Sequence, residues 1–291
     1  SKKNLFCKPI RYLITNEIKE PIAIVQILIY GIPLFPCLAR INRGPLLLDP
    51  EESEEKFHLN IRIIKLIEYI LRKKNCIFLL ISPETLFKEY KYKIFFENGF
   101  KLKNKNSWSS SRLFLRKNEE EIFKSLKAKW RNMLRKSLKS ELVIMYEDIN
   151  ELTVNKLIKD YKDFKNKKGF NGISSNLISK LIKTNSPNWK CNVYRSYKTK
   201  KDKLQLTGML VAIFHSKTAT YLLAYSNNIG RSLNSNYLLL WRSIIDAKKL
   251  GCDWYDMGGM NPNTPEGIAH FKKGVNGEFY SNISNFYKIL F

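Results

Sequence analysis

The stretch Asp253-Trp254-Tyr255-Asp256-Met257-Gly258-Gly259, followed by Pro265-Glu266-Gly267-Ile268-Ala269-His270-Phe271-Lys272-Lys273-Gly274, decides how the chain is read. Asp253 to Met257 lies between Gly251 and Gly258-Gly259, which predicts a short strand that opens into a loop. Pro265 at one end and Lys272-Lys273-Gly274 at the other predict a helix from about Pro265 to Lys273. A strand ending in Asp and two glycines leaves a carboxylate at the carboxyl edge of a sheet, where backbone can approach a ligand closely. A helix ending in Phe-Lys-Lys-Gly can set an ammonium beside it. The same residue types also cap ordinary helices.

Outward from this stretch, strand and helix signals alternate. A helix from about Leu233 to Leu250 precedes it, stopped by Gly251. Strands at 192–198, 204–215 and 218–226 form two hairpins, behind helices at 151–166 and 175–183, and a final strand is expected from Glu278 to Leu290. In the first half, strands at 22–30 and 38–48 lead through an acidic linker (49–55) to an amphipathic helix from about Asn60 to Lys74. A buried strand (76–81), a helix around 86–97 and strands at 100–103 and 111–116 follow. This is an α/β (α+β) pattern of two β-rich sheets flanked by helices. Two copies of one fold are expected, divided as residues 1–145 and 146–291.

The helix from Glu119 to Lys139 is the best marked. Asn118 supplies a cap, and three glutamates sit where the helix dipole favours negative charge. At 100° per residue, Ile122, Phe123, Leu126, Trp130, Met133 and Leu134 share one arc. Lys124, Lys127, Arg131, Arg135 and Lys139 share the next, a basic stripe suited to phosphates.

The chain has 291 residues, 44% apolar and 13% aromatic, which excludes a disordered or fibrous protein. Its formal net charge of +25 points to a polyanionic partner. Five scattered cysteines without a CxxC pair suggest neither a disulfide framework nor a zinc cluster, and fit a cytoplasmic protein. Three histidines (His58, His215, His270) without metal-ligand spacing read as structural. Pro21 to Ala39 carries no charge, but Gly31, Pro33 and Pro36 break a spanning helix and favour a buried hairpin. No P-loop, GxGxxG, HExxH or Ser-His-Asp order occurs.

Several segments together resemble a known family. The run from Glu119-Glu120-Glu121-Ile122 to Arg131-Asn132-Met133-Leu134-Arg135-Lys136, the Tyr255-Asp256-Met257-Gly258-Gly259 and Gly267-Ile268-Ala269-His270-Phe271-Lys272-Lys273-Gly274 tail, Arg43-Gly44-Pro45 and Asn236-Tyr237-Leu238-Leu239-Leu240-Trp241 are similar to segments of the Fem-type (FemABX) aminoacyltransferases, which build peptidoglycan bridges. The resemblance runs from about Pro21 to the end. It implies tandem acetyltransferase-like (GNAT) folds and transfer of an amino acid from aminoacyl-tRNA to an amine of an anionic envelope precursor, lipid-linked or nucleotide-linked. No bound cofactor is implied; aminoacyl-tRNA is the co-substrate. The implied setting is cytoplasmic, with contact at the inner membrane surface.

By this comparison Phe271 and Lys272 match the family's active-channel pair. Lys272 is then the cation for a tetrahedral oxyanion, and Asp256 the group that orients the amine or relays its proton. Tyr225, Tyr237, Trp241, Arg43, Phe271 and Lys273 become candidate substrate contacts, and Lys124, Lys127, Arg131 and Arg135 candidate tRNA or phosphate contacts. An alternative is an acyl-CoA-dependent N-acyltransferase acting on a nucleotide sugar or lipid-linked glycan. CoA-binding GNAT enzymes carry (Q/R)xxGxG/A after the fourth strand; here Ser226 to Asn234 keeps only Gly230. A second alternative is a non-catalytic RNA-binding protein with aromatics stacking on bases.

Overall fold

The computed structural model describes residues 6–31, 37–49, 53–104, 107–147, 151–168, 173–184, 186–200 and 202–290. Pro33 and Pro36 of the expected hairpin turn, and part of the 49–55 linker, lie outside them. The elements in order are β1 (Phe6–Thr15), β2 (Pro21–Gly31), β3 (Cys37–Asn42), β4 (Leu46–Leu47), α1 (Glu54–Lys73), β5 (Cys76–Ser82), α2 (Glu89–Glu97), β6 (Lys101–Asn104), β7 (Ser109–Phe114), α3 (Glu119–Ser125), α4 (Ala128–Leu138), β8 (Leu142–Glu147), α5 (Glu151–Lys168) and α6 (Ser175–Lys183). They continue with β9 (Trp189–Lys200), β10 (Lys203–His215), β11 (Thr218–Ser226), α7 (Asn228–Ser232), α8 (Ser235–Lys249), β12 (Trp254–Asp256), α9 (Glu266–Lys273), β13 (Glu278–Ser281) and β14 (Asn285–Ile289).

Two sheets organise the chain. One runs β1-β2-β3-β5-β14-β6, with β4 paired to β2; the other runs β13-β7-β12-β11-β10-β9-β8. Their layouts correspond. Each has an antiparallel run that ends on a parallel pair joined by a helical crossover, β3 with β5 through α1 and β11 with β12 through α7 and α8. Each then continues through a strand from a distant part of the chain: β14 beside β5, and β7 beside β12.

The compact units are residues 1–109 with 280–291, and 110–279, rather than halves meeting at 145/146. The reason is hydrophobic. Ile122, Leu126, Trp130 and Leu134 pack into the core of the second sheet with Leu240, Tyr255 and Met257, while Phe286 of β14 stacks on Phe95 within the first. The expected final strand therefore divides, β13 at the edge of one sheet and β14 inside the other.

The uncharged stretch forms β2 and β3, antiparallel with Ile27 opposite Ile41. Among the described residues no helix is long and apolar enough to cross a membrane. Cys37 and Cys76 are joined by a disulfide between neighbouring parallel strands, against the expectation of unbridged cysteines. The three cysteines Cys7, Cys191 and Cys252 are free thiols.

The expected 119–139 helix also divides. Leu126 and Lys127 adopt extended backbone, so α3 and α4 are separate helices. Arg131 bridges the break by donating to the carbonyls of Lys124 (2.6 Å) and Leu126. Asn118 and Glu121 complete a capping box at the start of α3.

Candidate active site

Three elements of the second unit bring the tail residues together. Strand β11 carries Tyr221, β12 ends on Asp256 and opens into Gly258-Gly259, and α9 carries Lys272. Gly258 has φ +67, and a Cβ there would lie 2.6 Å from the carbonyl oxygen of Tyr221, so glycine is required at this approach. The turn holds itself: Asp256 Oδ1 accepts from the Gly258 amide at 2.7 Å and from the Ser110 hydroxyl at 2.7 Å.

Lys272 lies in the interior, 6% exposed, at the last turn of α9. Its ammonium donates to the Gly259 carbonyl at 2.9 Å and sits 5.0 Å from the centroid of the Tyr221 ring. Burial pushes its pKa down from 10.5 to about 8, against which the negative charge of Asp256 acts. At neutral pH it remains mainly an ammonium. That is a poised cation: removed from water, charged, and near enough to the working range for its charge to respond to pH.

The other expected site residues separate into groups. Phe271 and Tyr237 meet edge to face at 5.0 Å beside Trp130, whose indole N–H donates to the Phe271 carbonyl. Trp241 is buried against Phe123 in the core. Lys273, next to Lys272 in sequence, is exposed and is not brought to the same place. Tyr225 lies on the other side of β11's pattern: it stacks on Phe164 of α5 and lines a cavity of about 480 Å³ with Asp160, Asp163 and Arg231. Arg43 belongs to the first unit, where it pairs with Glu84 and lies over Trp108.

The basic stripe is partly committed elsewhere. Arg131 is tied to the backbone carbonyls at the helix break, Lys124 pairs with Glu120 at 2.6 Å, and Arg135 lies over Phe123. Lys127 is exposed as the residue before α4. Among the described residues no cluster of His, Cys, Asp or Glu could hold a metal ion. His215, one of the three histidines read as structural, stacks on Trp189 and bonds Thr220 at 3.0 Å. Its pKa is lowered by burial, with Asp256 acting the other way.

Gly230, the single glycine after the fourth strand of the expected fold, is consumed by packing. A Cβ there would lie 2.1 Å from the Thr207 carbonyl of β10, and its amide donates to Asn227. Sequence reasoning missed Ser110. The available signal was three successive serines, Ser109-Ser110-Ser111, all buried where a strand ordinarily places β-branched residues.

Residues 146–290 match the family model described as the FemAB family. No curated protein matches the sequence. Among solved structures, FemX aligns with TM-score 0.80 at 14% identity, over 98% of this chain and 88% of that one. L-PGS from Bacillus licheniformis aligns with TM-score 0.56 at 10% identity, over 96% and 84%. A tandem GNAT protein from the clavulanic acid biosynthesis pathway aligns with TM-score 0.55 at 7% identity, over 98% and 84%. At these identities the structural likeness shows the fold: tandem GNAT-like domains.

Proposed function

The chain belongs to the FemAB family of aminoacyltransferases, and on that premise we propose that it moves an amino acid from aminoacyl-tRNA to an amine of an anionic envelope precursor, with Lys272 stabilising the charge that develops. The observation that carries the reading is the interior ammonium of Lys272, whose hydrogen bond to Gly259 and contact with the Tyr221 ring leave N–H capacity for an oxyanion. Attack of the neutral amine nitrogen on the ester carbonyl forms a C–N bond and a tetrahedral oxyanion. The incoming ammonium gives up one proton to become that neutral amine; collapse then breaks the ester C–O bond, and the proton the nitrogen sheds on becoming an amide passes to the ribose oxygen, which leaves as a hydroxyl. In this reading Asp256, whose Oδ1 accepts from Ser110 and Gly258, orients the incoming ammonium or takes its proton.

One observation favours a tRNA ester over acyl-CoA as donor: Gly230 is packed against β10 rather than open to a pyrophosphate. The formal charge of +25 suits a nucleic-acid co-substrate and an anionic membrane surface, and use of charged tRNA would set the reaction in the cytoplasm. The test is transfer of a radiolabelled amino acid from charged tRNA, in parallel with labelled acetyl-CoA, to amine-bearing nucleotide-linked or lipid-linked peptidoglycan precursors. Label moving from tRNA and lost in Lys272→Ala is the expected result. Transfer from acetyl-CoA alone contradicts the donor assignment.

A further inference from the structure

We propose that Ser110 is a positioning residue of this site: its hydroxyl clamps the Asp256 carboxylate to the glycine turn and so fixes how that carboxylate faces the Lys272 ammonium. The proposal rests on Lys272 and Asp256 serving the transfer proposed above.

Ser110 is 0% exposed, on β7, the strand that pairs antiparallel with β12. Its Oγ lies 2.7 Å from Asp256 Oδ1 and 2.8 Å from the Gly258 carbonyl. One hydroxyl proton thus serves two acceptors, one on each side of the turn. The next residue adds a backbone tie, the Met257 amide donating to the Ser111 carbonyl at 2.9 Å. The turn continues to Gly259, whose carbonyl holds Lys272. A buried hydroxyl in a strand supplies little apolar packing; its contribution here is the clamp. The charged and titratable groups facing Lys272 are Asp256 on β12 and Tyr221 on β11, with His215 on β10 sensing the same carboxylate. Without the Ser110 hydroxyl, Oδ1 keeps the Gly258 amide but loses its tie to β7, so the carboxylate is held less firmly toward Lys272 and opposes the effect of burial on the Lys272 pKa less.

The measurement is an NMR pH titration of protein labelled at the lysine Cε carbons, with the Lys272 signal assigned as the one missing from Lys272→Arg. It needs no substrate. Wild type should titrate near about 8. Ser110→Ala and the volume-conserving Ser110→Cys should move the midpoint down by about half a unit or more, and Ser110→Thr, which keeps the hydroxyl, should restore it. In an Asp256→Asn background, Ser110→Ala should have no further effect, because it acts through that carboxylate. A midpoint unmoved in the Ala and Cys variants, or a shift that adds to that of Asp256→Asn, overturns the proposal. Absence of transfer by the wild-type enzyme counts against the functional reading instead and leaves the midpoint to decide Ser110. Where transfer is observed, Ser110→Ala should lower kcat about tenfold or more with KM little changed.

Discussion

Lys91 in the first unit and Lys272 in the second are both buried, 2% and 6% exposed, yet they are held in opposite ways. Lys91 donates to the Thr85 hydroxyl at 2.7 Å and the Leu86 carbonyl at 3.1 Å, over the Phe57 ring, and so ties α2 to the chain before it. Lys272 is held by a carbonyl and a ring face at the end of a glycine turn, with its pKa pushed down to about 8. A buried cation whose donors are engaged by its own fold repays part of its desolvation in stability. One left with donors to spare keeps that cost, and the cost is tolerable where the charge is used.

The largest effect that sharpens this contrast is on turnover. Lys272→Ala should lower aminoacyl transfer by about a hundredfold or more with the fold intact, the scale of losing an oxyanion donor. Single-turnover rates and far-ultraviolet circular dichroism check it.

The second prediction is a difference of sign. Lys272→Met removes the cost of a buried charge, at most about 3 kcal/mol at pH 7 for a shift from 10.5 to about 8, and takes the donor from one carbonyl, Gly259, at about 1 kcal/mol, so stability should rise by up to about 2 kcal/mol. Because the folded-state pKa is depressed, the unfolded chain binds more protons between about pH 8 and 10.5. Wild-type stability therefore rises across that window and the advantage of Lys272→Met shrinks. Lys91→Met should instead lose about 1–3 kcal/mol, since Thr85 and Leu86 give up their donor. Denaturant melts of both variants from pH 7 to 10.5 decide it; stabilisation by both would break the contrast.

The smallest effect concerns the basic stripe. Arg131→Gln should cost about 1 kcal/mol by freeing the carbonyls of Lys124 and Leu126, which urea melts can read. Lys127→Glu, which disturbs no such bond, should weaken tRNA binding and flatten its salt dependence by about one unit of slope. Unchanged binding would mark the stripe as a solvated face.

Local patterns in the sequence carried much of this. Thr218–Ser226 and Ser175–Lys183 form as read, because alternation and capping act over a few residues. The Phe271-Lys272 tail was legible because a strand stop, two glycines and a helix end lie within one short stretch. Long-range choices were not. That β14 enters the first sheet depends on Phe286 finding Phe95, and nothing near residue 286 encodes it. The Cys37–Cys76 pairing needs β3 and β5 side by side, which spacing alone does not reveal. The break at Leu126-Lys127 escaped because hydrophobic periodicity runs through it unbroken, while the Arg131 side chain does the bridging. β1 escaped because its charged residues obscured a strand that pairs with β2 along its length.

The most direct test of the Lys272 ammonium as the working cation is the pH dependence of single-turnover aminoacyl transfer, for wild type and Lys272→Arg. The wild-type rate should fall as pH rises through about 8, where the ammonium is lost. Lys272→Arg, slower but charged throughout, should lack that descending limb. A limb that persists unchanged in the arginine variant would contradict the account.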